Sequence, residues 1–383
     1  MPESEAIEMV RLVRIIARTN VGGPSLQVTA LMRGLDRERF DQTLLRGSCE
    51  EGESDYLELR APDVESVLVP GMGRSVKVLG DIQALWFIFR TLRRIKPTIV
   101  HTHTAKAGTL GRLAAFLTRT PIRVHTFHGH VLHGYFGPLV TKGVVVVERV
   151  LGKMSTHLVA VGDSTLDDLV AAKIARRDRS STVSPGVRRG ETISRPVARK
   201  RLGLPSDGQV VSFVGRLTAI KRPERYVQLA YELAADFPYA RFVVVGDGEL
   251  RVALETDAPP NVMFLGWQGD VSTVYEASDL VVLTSDNEGM PVALIEASMH
   301  GVPCVSTDVG AVRQVVVERV TGRVVPVGDS SALADAVREL LADDQLRKRM
   351  GRAAEQHAIE HFSESRLVAD YSTLYERLLA SKR

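Results

Sequence analysis

Residues 279–307 read DLVVLTSDNEGMPVALIEASMHGVPCVST, and this stretch decides the fold. Its first apolar run predicts a buried strand, and the DNEG sequence that follows predicts a turn. We expect Pro291 at a first-turn position of a helix that ends at Gly301, before a second apolar run. The stretch therefore predicts a strand, a helix and a further strand, which is the repeating unit of parallel α/β sheets.

The same alternation continues through most of the chain. Runs rich in β-branched residues are separated by segments with helical spacing, and most runs are apolar throughout. Such runs predict strands covered on both faces, as in parallel sheets. The segment 185–208 is rich in proline, glycine and charge, as a linker is, and a new strand follows it. We therefore predict an α/β fold with two Rossmann-like parallel-sheet domains facing a central cleft, residues 1–187 and 188–359, with a C-terminal helix of about residues 360–383 that returns to the first domain.

Composition and charge exclude several classes of protein. The formal net charge is +3 and the sequence pI is about 8.8, far from the basic bias of a dedicated nucleic-acid-binding protein. Cys49 and Cys304 lie far apart, which indicates reduced thiols in a cytosolic protein. The acidic N-terminus is unlike a secretory signal, and no uncharged apolar stretch approaches the ~20 residues of a spanning helix. We expect a cytoplasmic protein, either soluble or peripheral on the inner face of the membrane, with no nucleic-acid partner.

Two glycine features follow predicted strands. Gly22 and Gly23 come directly after the first strand, and Gly246, Asp247 and Gly248 follow a later one. Glycine lets the backbone approach a ligand closely, and the N-terminus of a helix after such a loop favours an anion. The first loop lacks the G-x-G-x-x-G pattern, so a dinucleotide site is poorly supported. For both features, a tight connection without a ligand is the alternative interpretation.

Six of the ten histidines lie between residues 101 and 133. His101 and His103 are two positions apart at a strand end, so their side chains should share a face. Neutral imidazoles bind zinc, but no cysteine or carboxylate joins these histidines at a recognisable metal-ligand spacing. We therefore expect no metal site and predict that the histidines line a cleft, with a zinc enzyme as the alternative.

The strongest candidates for ligand binding are two bases and two acids. Arg216 and Lys221 lie in a loop after a strand, and a planar guanidinium with a compact ammonium suits a diphosphate. Glu288 precedes the helix near Pro291, whose N-terminus favours an anion, and Glu296 lies about one and a half turns into that helix. Because carboxylates would repel a diphosphate, we expect both acids to accept hydrogen bonds from sugar hydroxyls. A solvated basic loop and an ordinary helical acid are the alternatives.

Taken together, these motifs resemble the family 4 glycosyltransferases, which are retaining enzymes with the GT-B fold. EGMPVALIE at residues 288–296 resembles the E-x7-E signature of that family, and GRLTAIK at 215–221 resembles its phosphate-binding Arg/Lys pair. VGG at 21–23 is similar to the N-terminal glycine loop, and THTAKAGTLGRLAA at 102–115 to a segment of bacterial members. TFHGH at 126–130 resembles the stretch that holds the active-site histidine.

The resemblance implies a hexosyl- or N-acetylhexosaminyltransferase that moves a sugar from a nucleotide-sugar donor to an acceptor hydroxyl with the anomeric configuration retained. A UDP-sugar is favoured, and a GDP-sugar is the alternative. No cofactor and no divalent metal are expected, because the two bases would hold the diphosphate. The acceptor would belong to cell-surface glycan, lipid-linked oligosaccharide or small-molecule natural-product synthesis. The alternative functions are a GT-B epimerase or hydrolase and a non-catalytic nucleotide-sugar-binding module.

The resemblance also implies roles for single residues. Arg216 and Lys221 would hold the diphosphate, while Glu288 would contact the donor sugar and His128 would orient it. Glu296 would take the ribose hydroxyls. The remaining donor-binding candidates are Gly22, Gly23, Gly215, Gly246, Asp247, Gly289, Met290, Pro291 and Val292. The acceptor-side candidates are His103, Lys106, His130 and Tyr135.

Two segments stand apart from this assignment. The linker reads SPGVRRG where family members usually carry Asn-Gly-Val-Asp, so no role is carried over to Pro185 or Arg188. The predicted helix at 76–96 combines apolar bulk with a basic C-terminal end. An ordinary helix packed on the sheet is the favoured interpretation, and peripheral contact with anionic lipid is the alternative.

Overall fold

The computed structural model describes residues 9–129 and 137–382, which form two units. The first unit contains the chain up to Gly186 together with the segment from Glu364 onward, and the second runs Val187–Ser363. The predicted boundaries lie after residue 187 and near residue 360. Each unit is built on one parallel sheet with helices, which confirms the predicted α/β fold of two Rossmann-like domains.

The first unit contains a seven-stranded parallel sheet in the order β3-β2-β1-β4-β5-β6-β7. Its strands are β1 (Val10–Ile16), β2 (Phe40–Arg46), β3 (Val67–Leu68), β4 (Ile99–His103), β5 (Ile122–Phe127), β6 (His157–Ala160) and β7 (Ser180–Thr182). The central strands β1, β4 and β5 are almost entirely buried, because helices cover both faces of their apolar runs.

The sequence pattern does not predict β7. Its three residues are two serines and a threonine, and all three are half-buried. The strand lies at the edge of the sheet and pairs with β6. Because an edge strand of this length buries little apolar surface, it leaves no apolar run in the sequence.

Six helices connect the strands of the first unit. They are α1 (Gly23–Gly34), α2 (Tyr56–Arg60), α3 (Val78–Ile95), α4 (Ala105–Leu117), α5 (Pro138–Met154) and α6 (Asp163–Ala171). The crossovers through α3, α4 and α5 step across the sheet in the same direction, so right-handed connections place these helices on one face. Consistent with that placement, α4 packs against both α3 and α5.

The second unit contains a six-stranded parallel sheet in the order β10-β9-β8-β11-β12-β13. Its strands are β8 (Val210–Val214), β9 (Arg241–Val245), β10 (Val262–Gly266), β11 (Leu280–Leu283), β12 (Cys304–Thr307) and β13 (Gly322–Val325). Its helices are α7 (Arg195–Arg201), α8 (Pro223–Glu232), α9 (Arg251–Thr256), α10 (Ser272–Ala277), α11 (Val292–Met299), α12 (Val312–Val315), α13 (Ser330–Ala342) and α14 (Asp344–Phe362). Within residues 9–129 and 137–382, no helix has the length and apolar character needed to cross a bilayer.

The stretch 279–307 forms the predicted strand, helix and strand, with β11 and β12 paired in parallel. The expected position of Pro291 is wrong by one residue, since it caps α11 from outside instead of lying in the first turn. Its ψ of 91° is extended, and the helical hydrogen bonds begin with its carbonyl group, which accepts from the Leu294 amide. Gly301 lies just beyond the helix with a φ of 70°, which glycine adopts without strain.

The final helix, α15 (Glu364–Ala380), packs on the first sheet and completes its core. It also contributes two buried hydroxyl groups to a polar network beneath β4 and β5. The Tyr375 hydroxyl lies 2.6 Å from Nδ1 of His101, and the Tyr371 hydroxyl lies 2.8 Å from Oγ1 of Thr126. The network is continuous, since Nε2 of His101 is 2.8 Å from the same Thr126 oxygen.

A buried ion pair between α4 and α5 provides a test of this packing. Nη2 of Arg112 lies 3.0 and 2.8 Å from the two carboxylate oxygens of Glu148. Glu148→Gln would leave the guanidinium of Arg112 charged and buried without an anionic partner. Breaking a buried pair in this way costs about 3–5 kcal/mol. We expect urea denaturation followed by circular dichroism to show a loss of that size in the free energy of unfolding of the first unit.

The matched control is Asp63→Asn, which breaks the exposed pair that Asp63 makes with Arg33. We expect no measurable change from this substitution, because water solvates both partners. Equal losses in the two variants would contradict the assignment of Arg112 and Glu148 as a buried pair.

Candidate active site

The donor-side candidates of the second unit lie in loops that leave three neighbouring strands, β8, β9 and β11. Because these strands are parallel, their carboxyl ends lie at one edge of the sheet, where ligands bind in open α/β folds. The loops are residues 215–221, 246–248 and 284–291. The structure therefore brings the predicted bases and the predicted acids to the same edge.

Lys221 and Glu288 are in direct contact at this edge. The Lys221 ammonium lies 2.5 Å from Oε1 of Glu288, and the Ser285 hydroxyl donates to the same oxygen at 2.6 Å. The two charged side chains are 20% and 9% exposed, so the pair is shielded from most of the solvent. The carboxylate therefore both neutralises and orients the ammonium group.

Hydrogen bonds to the main chain fix the distance between the two loops. The Thr284 hydroxyl donates to the carbonyl oxygens of Lys221 and Arg222 at 3.0 and 2.9 Å. The Asp286 amide donates to the carbonyl of Ile220 at 2.9 Å, and the Asp286 carboxylate accepts from Arg225 at 2.5 Å. The position of the ammonium group is thus set by the loop that follows β11 as well as by Glu288.

Arg216 differs from Lys221, because its side chain has no partner among the described residues. Its side chain is exposed, and it makes no hydrogen bond or ion pair with the part of the chain that the structure describes. Its main chain is well fixed, because the neighbouring Gly215 and Leu217 amides donate to the carbonyls of Val245 and Asp247 at 2.9 Å each. The guanidinium is therefore a solvated cation on an ordered loop.

The glycines at 246 and 248 are required by the packing of the loops themselves. A Cβ atom on Gly246, whose φ is 134°, would lie 1.9 Å from the carbonyl oxygen of Gly215. A Cβ atom on Gly248 would lie 2.4 Å from that of Leu217. The Asp247 carboxylate accepts from the Gly248 amide and from Arg251. A tight connection explains these residues, and their donor-binding roles stay predictions.

Glu296 lies on α11 and contacts a buried tyrosine from α10. The Tyr275 hydroxyl donates to Oε2 of Glu296 at 2.9 Å. Burial, followed by the nearby carboxylate, raises the pKa of Tyr275 well above its ordinary value, so the hydroxyl keeps its proton and stays a donor. The Tyr275 ring stacks on His300, whose Nδ1 lies 2.9 Å from Oε1 of Glu276. The Tyr275 hydroxyl therefore orients the Glu296 carboxylate, and the stacked His300 ring supports the tyrosine.

The segment 289–292 forms the entry to α11 and is supported by the loop that follows β12. A Cβ atom on Gly310 would lie 1.9 Å from the carbonyl oxygen of Glu288, so only glycine permits this approach. The Ala311 amide donates to the Gly289 carbonyl at 3.1 Å. These contacts fix the backbone of the loop that carries Glu288.

In the first unit, three of the histidines lie together at the carboxyl ends of β4 and β5. The rings of His101 and His103 are 4.1 Å apart, and Nδ1 of His103 is 3.0 Å from Nε2 of His128. Burial lowers the pKa of His128 to about 3 and lowers the pKa of His103 well below its ordinary value. Both rings are therefore neutral near pH 7 and act as hydrogen-bonding groups without charge.

His125 belongs to a different environment. Its Nδ1 lies 2.8 Å from the Thr102 hydroxyl, and its ring packs against Gly108, where a Cβ atom would approach to 2.5 Å. Across the residues described, no three side chains of histidine, cysteine, aspartate or glutamate are grouped so as to hold a metal ion.

The remaining candidates of the first unit fall into three groups. Gly22 precedes α1, and a Cβ atom there would meet only the Pro24 ring, at 3.9 Å, so packing within the unit does not demand a glycine. Lys106 donates to the Ser75 carbonyl and pairs with Asp81, each at 2.5 Å, which fixes its ammonium group between α3 and α4. The candidates His130 and Tyr135 lie outside the described residues.

Three residues of the second-unit site are absent from the sequence predictions. Tyr275 holds Glu296, Ser285 holds Glu288, and Thr284 holds the basic loop. Tyr275 lies in a helix of six residues that has no motif. The serine and threonine stand between β11 and the DNEG turn, so their position after a buried strand is the one signal that points to them.

The buried histidines predict a pH dependence of stability. Burial lowers the pKa of His101, His103 and His125, and it lowers that of His128 to about 3 and that of His157 to about 4. In the unfolded chain each pKa is about 6.5, so below that pH the unfolded state binds more protons than the native state. We expect the free energy of unfolding of the first unit to fall as the pH is lowered from about 6.5 towards 4. Urea denaturation at several pH values measures this slope.

The matched variant is His157→Gln, which can keep the hydrogen bond to Ser181 and cannot titrate. It should reduce the slope by about one proton, equivalent to about 1.4 kcal/mol per pH unit. A first unit whose stability is constant between pH 7 and 5 would contradict the burial of neutral imidazoles.

Comparison with known proteins identifies the family. Residues 22–186 match the model of the glycosyl transferase 4-like domain, and residues 194–357 match the model of glycosyl transferases group 1. The chain is 28% identical over 367 residues to the Escherichia coli UDP-Gal:alpha-D-GlcNAc-diphosphoundecaprenol alpha-1,3-galactosyltransferase, covering 91% of this chain and 92% of that protein. It is 30% identical over 309 residues to the D-inositol 3-phosphate glycosyltransferase of Saccharomonospora viridis, covering 74% of this chain and 71% of the relative.

A solved structure of the same fold is that of Anabaena HepE in complex with UDP and glucose. It superimposes with a TM-score of 0.80 over 96% of this chain and 100% of the other, at 19% sequence identity. The matched models, the relatives and the two Rossmann-like sheets agree with one another, and the chain belongs to the GT-B glycosyltransferases of the family 4 type.

Proposed function

We propose that this chain transfers a hexosyl or N-acetylhexosaminyl group from a nucleotide-diphosphate sugar to an acceptor hydroxyl, with the anomeric configuration retained. A UDP-sugar is favoured over a GDP-sugar. The observation that carries the proposal is the Lys221–Glu288 pair beside the exposed Arg216, at the carboxyl ends of β8 and β11. The names of the Escherichia coli relative and of the HepE complex, which contain UDP-Gal and UDP, support the choice of UDP.

The charges at this edge suit a diphosphate. Arg216 is a solvated guanidinium on an ordered loop, and it would bind phosphate oxygens through paired N–H donors. Lys221 is held in place by Glu288 before any ligand arrives, so little rearrangement is needed to direct its charge at the same group. As the sugar leaves, negative charge grows on the departing phosphate, and both cations stabilise it.

The two acids would then divide the donor between them. Glu288, close to Lys221, would accept from hydroxyls of the transferred sugar. Glu296 is oriented by Tyr275 and would accept from the ribose hydroxyls. The loop 289–292, whose backbone is fixed by Gly310, would place amide groups near the sugar and phosphate. Gly22, where packing within the unit leaves room, and Gly23, the first residue of α1, would allow close approach of the donor.

Retention would follow from a front-face substitution. The bond between the anomeric carbon and the phosphate oxygen breaks, and the acceptor oxygen forms its bond on the same face of the sugar. The acceptor proton passes to the departing phosphate oxygen, so the protein supplies no covalent nucleophile. His128, neutral and held by His103, would orient the sugar by hydrogen bonding. We propose that Arg216 and Lys221 perform the electrostatic task without a divalent metal.

The acceptor would be a sugar, a lipid-linked intermediate or a small molecule on the cytoplasmic side of the membrane. The named acceptors of the two relatives differ, one being a diphosphoundecaprenol lipid and the other an inositol phosphate. We infer a role in the synthesis of surface glycans, lipid-linked oligosaccharides or natural products.

Nucleotide binding and turnover should separate the two acids. We expect Glu296→Ala to weaken UDP binding by about 10–100-fold, because it removes hydrogen bonds to a charged acceptor worth about 1.5–3 kcal/mol. Glu288→Ala should leave the Kd for UDP within about threefold and lower kcat by about 10²–10³. Isothermal titration with UDP and GDP gives the Kd values, and nucleotide release from a panel of UDP- and GDP-sugars gives kcat.

Glu232→Ala is the control, since this exposed acid lies on α8 outside the site. The reverse pattern in the two acids would refute their assignment. Absence of binding to any nucleoside diphosphate would refute the transferase proposal, and nucleotide release that needs no acceptor would indicate a hydrolase.

The stereochemical course and the metal requirement give a further test. With an α-linked UDP-sugar as donor, we expect the ¹H NMR coupling of the anomeric proton in the product to be that of an α-glycoside. The initial rate should be unchanged when EDTA replaces Mg²⁺ or Mn²⁺, because the two bases carry the leaving-group charge. A β-linked product, or a rate abolished by EDTA and restored by a divalent ion, would contradict these steps.

A further inference from the structure

The outer side of α3 carries a continuous stripe that no part of the described chain covers. Leu79, Ile82 and Trp86 form its N-terminal half, and they are 84%, 60% and 57% exposed. Arg90 and Arg93 continue the same stripe at helical spacing and are also exposed. The opposite side of the helix packs on the sheet in the ordinary way through Ala84, Ile88 and Leu92. The helix is therefore apolar on two sides, and only one side has a partner among residues 9–129 and 137–382.

The helix α5 repeats this pattern. Leu139, Val146 and Val150 form an exposed apolar stripe, with Leu139 at 84% exposure, and Lys153 follows at its C-terminal end. Because α3, α4 and α5 lie on one face of the sheet, with α4 packed against both neighbours, the two stripes belong to one surface. We call the exposed residues of α3 and α5 together the α3–α5 face. The same organisation in two helices argues against a chance exposure of single apolar residues.

The charge of this face is strongly positive. Asp81, on α3, pairs with Lys106, and Glu148, on α5, pairs with the buried Arg112, so both acids are already neutralised. The Arg90 guanidinium lies over the Trp86 ring at 4.6 Å from its centroid, which joins the apolar and basic parts of the stripe. The exposed bases of α3, α5 and their flanking residues are Arg74, Lys77, Arg90, Arg93, Arg94, Lys96, Lys142, Arg149 and Lys153.

We propose that the α3–α5 face docks on the surface of a bilayer that contains anionic lipids. Large apolar side chains on exposed helical stripes enter the boundary between headgroups and acyl chains, while the neighbouring arginines and lysines contact anionic headgroups. Leu79 and Arg93 are fourteen residues apart on one helix, about 21 Å at 1.5 Å per residue, so one stripe reaches both kinds of contact along the membrane plane. Without such a partner, this apolar area stays exposed to water, which is unfavourable in free energy.

The docking has a consequence for the acceptor, which rests on the proposed function. The N-termini of α3, α4 and α5 lie at the edge of the sheet where the strands end, and His103 and His128 lie at that edge too. A bilayer held against the α3–α5 face would bring lipid-borne acceptors towards these histidines. Among the acceptor classes, the face therefore favours a lipid-linked one.

Tryptophan fluorescence tests the docking directly, because the chain has two tryptophans and only Trp86 lies on the face. Trp267→Phe leaves Trp86 as the single reporter, and Trp86→Phe leaves Trp267, in the second unit, as the internal control. With vesicles of equimolar phosphatidylcholine and phosphatidylglycerol, we expect a blue shift of Trp86 emission and quenching by brominated lipid. Vesicles of phosphatidylcholine alone should give a much smaller shift, and Trp267 should give none with either.

Substitutions on the face test the energetics by vesicle sedimentation. Two double variants should each weaken partitioning onto anionic vesicles by at least about tenfold. One combines Leu79→Ser with Ile82→Ser, and the other combines Arg90→Glu with Arg93→Glu. The matched controls are Val252→Ser and Arg352→Glu, exposed residues of the second unit that should leave partitioning unchanged. The thermal midpoint of each variant confirms folding, and UDP binding confirms that the second-unit site is intact.

The outcomes distinguish this proposal from the proposed function. The docking is overturned if the protein does not partition onto vesicles, if it partitions equally onto neutral and anionic vesicles, or if Trp86 emission does not shift. UDP binding would still support the proposed function in each of these cases. Vesicle binding by a protein that binds no nucleoside diphosphate supports the docking and overturns the transferase. The protein could instead self-associate as its concentration rises. If the double variant Leu79→Ser with Ile82→Ser abolished that association, the partner of the face would be a second copy of the chain, and the bilayer would be overturned as its partner.

Discussion

The parallel direction of the strands is the constraint on which both units depend. When all strands of a sheet run the same way, every loop that follows a strand leaves at the same edge. Residues 215–221, 246–248 and 284–291 are far apart along the chain, yet the order β9-β8-β11 puts them side by side. The close approach of Gly246 to the Gly215 carbonyl and of Gly310 to the Glu288 carbonyl then holds the loops without side chains between them.

On this framework the charges are arranged unequally. Lys221 is shielded and paired with Glu288, whereas Arg216 is solvated and has no partner within the described chain. The paired ammonium keeps its geometry, while the exposed guanidinium is open to an anion from solvent. Glu296 is separated from this pair and has its own support in Tyr275. The edge therefore carries one exposed cation, one cation that an acid holds in place, and two carboxylates in different surroundings.

The sequence was sufficient to predict elements whose signal is local. Apolar runs predict twelve of the thirteen strands found in the described residues, and the residue types of the basic loop and of α11 indicate candidates for ligand binding. The strand β7 is not predicted, because it is short, polar and at the edge of its sheet. The sequence does not predict the contact of Lys221 with Glu288 or the hydrogen bonds from Ser285 and Tyr275, because these contacts depend on which strands are neighbours. That order is set by packing of whole layers, which no single motif encodes.

The first unit shows the same dependence on distant parts of the chain, now through its C-terminal helix. The Tyr375 hydroxyl contacts His101, and Tyr371 contacts Thr126, so α15 fixes the two strands whose ends carry His103 and His128. The buried Arg14 also donates to the Tyr375 hydroxyl, at 3.4 Å, which adds a positive charge beside imidazoles that burial already keeps neutral. In the proposed function, a neutral His128 would orient the sugar without attracting its phosphate. The Tyr371 and Tyr375 rings pack against His101, so the last helix contributes to the burial that lowers the pKa of this histidine, although the whole second unit lies between them in sequence.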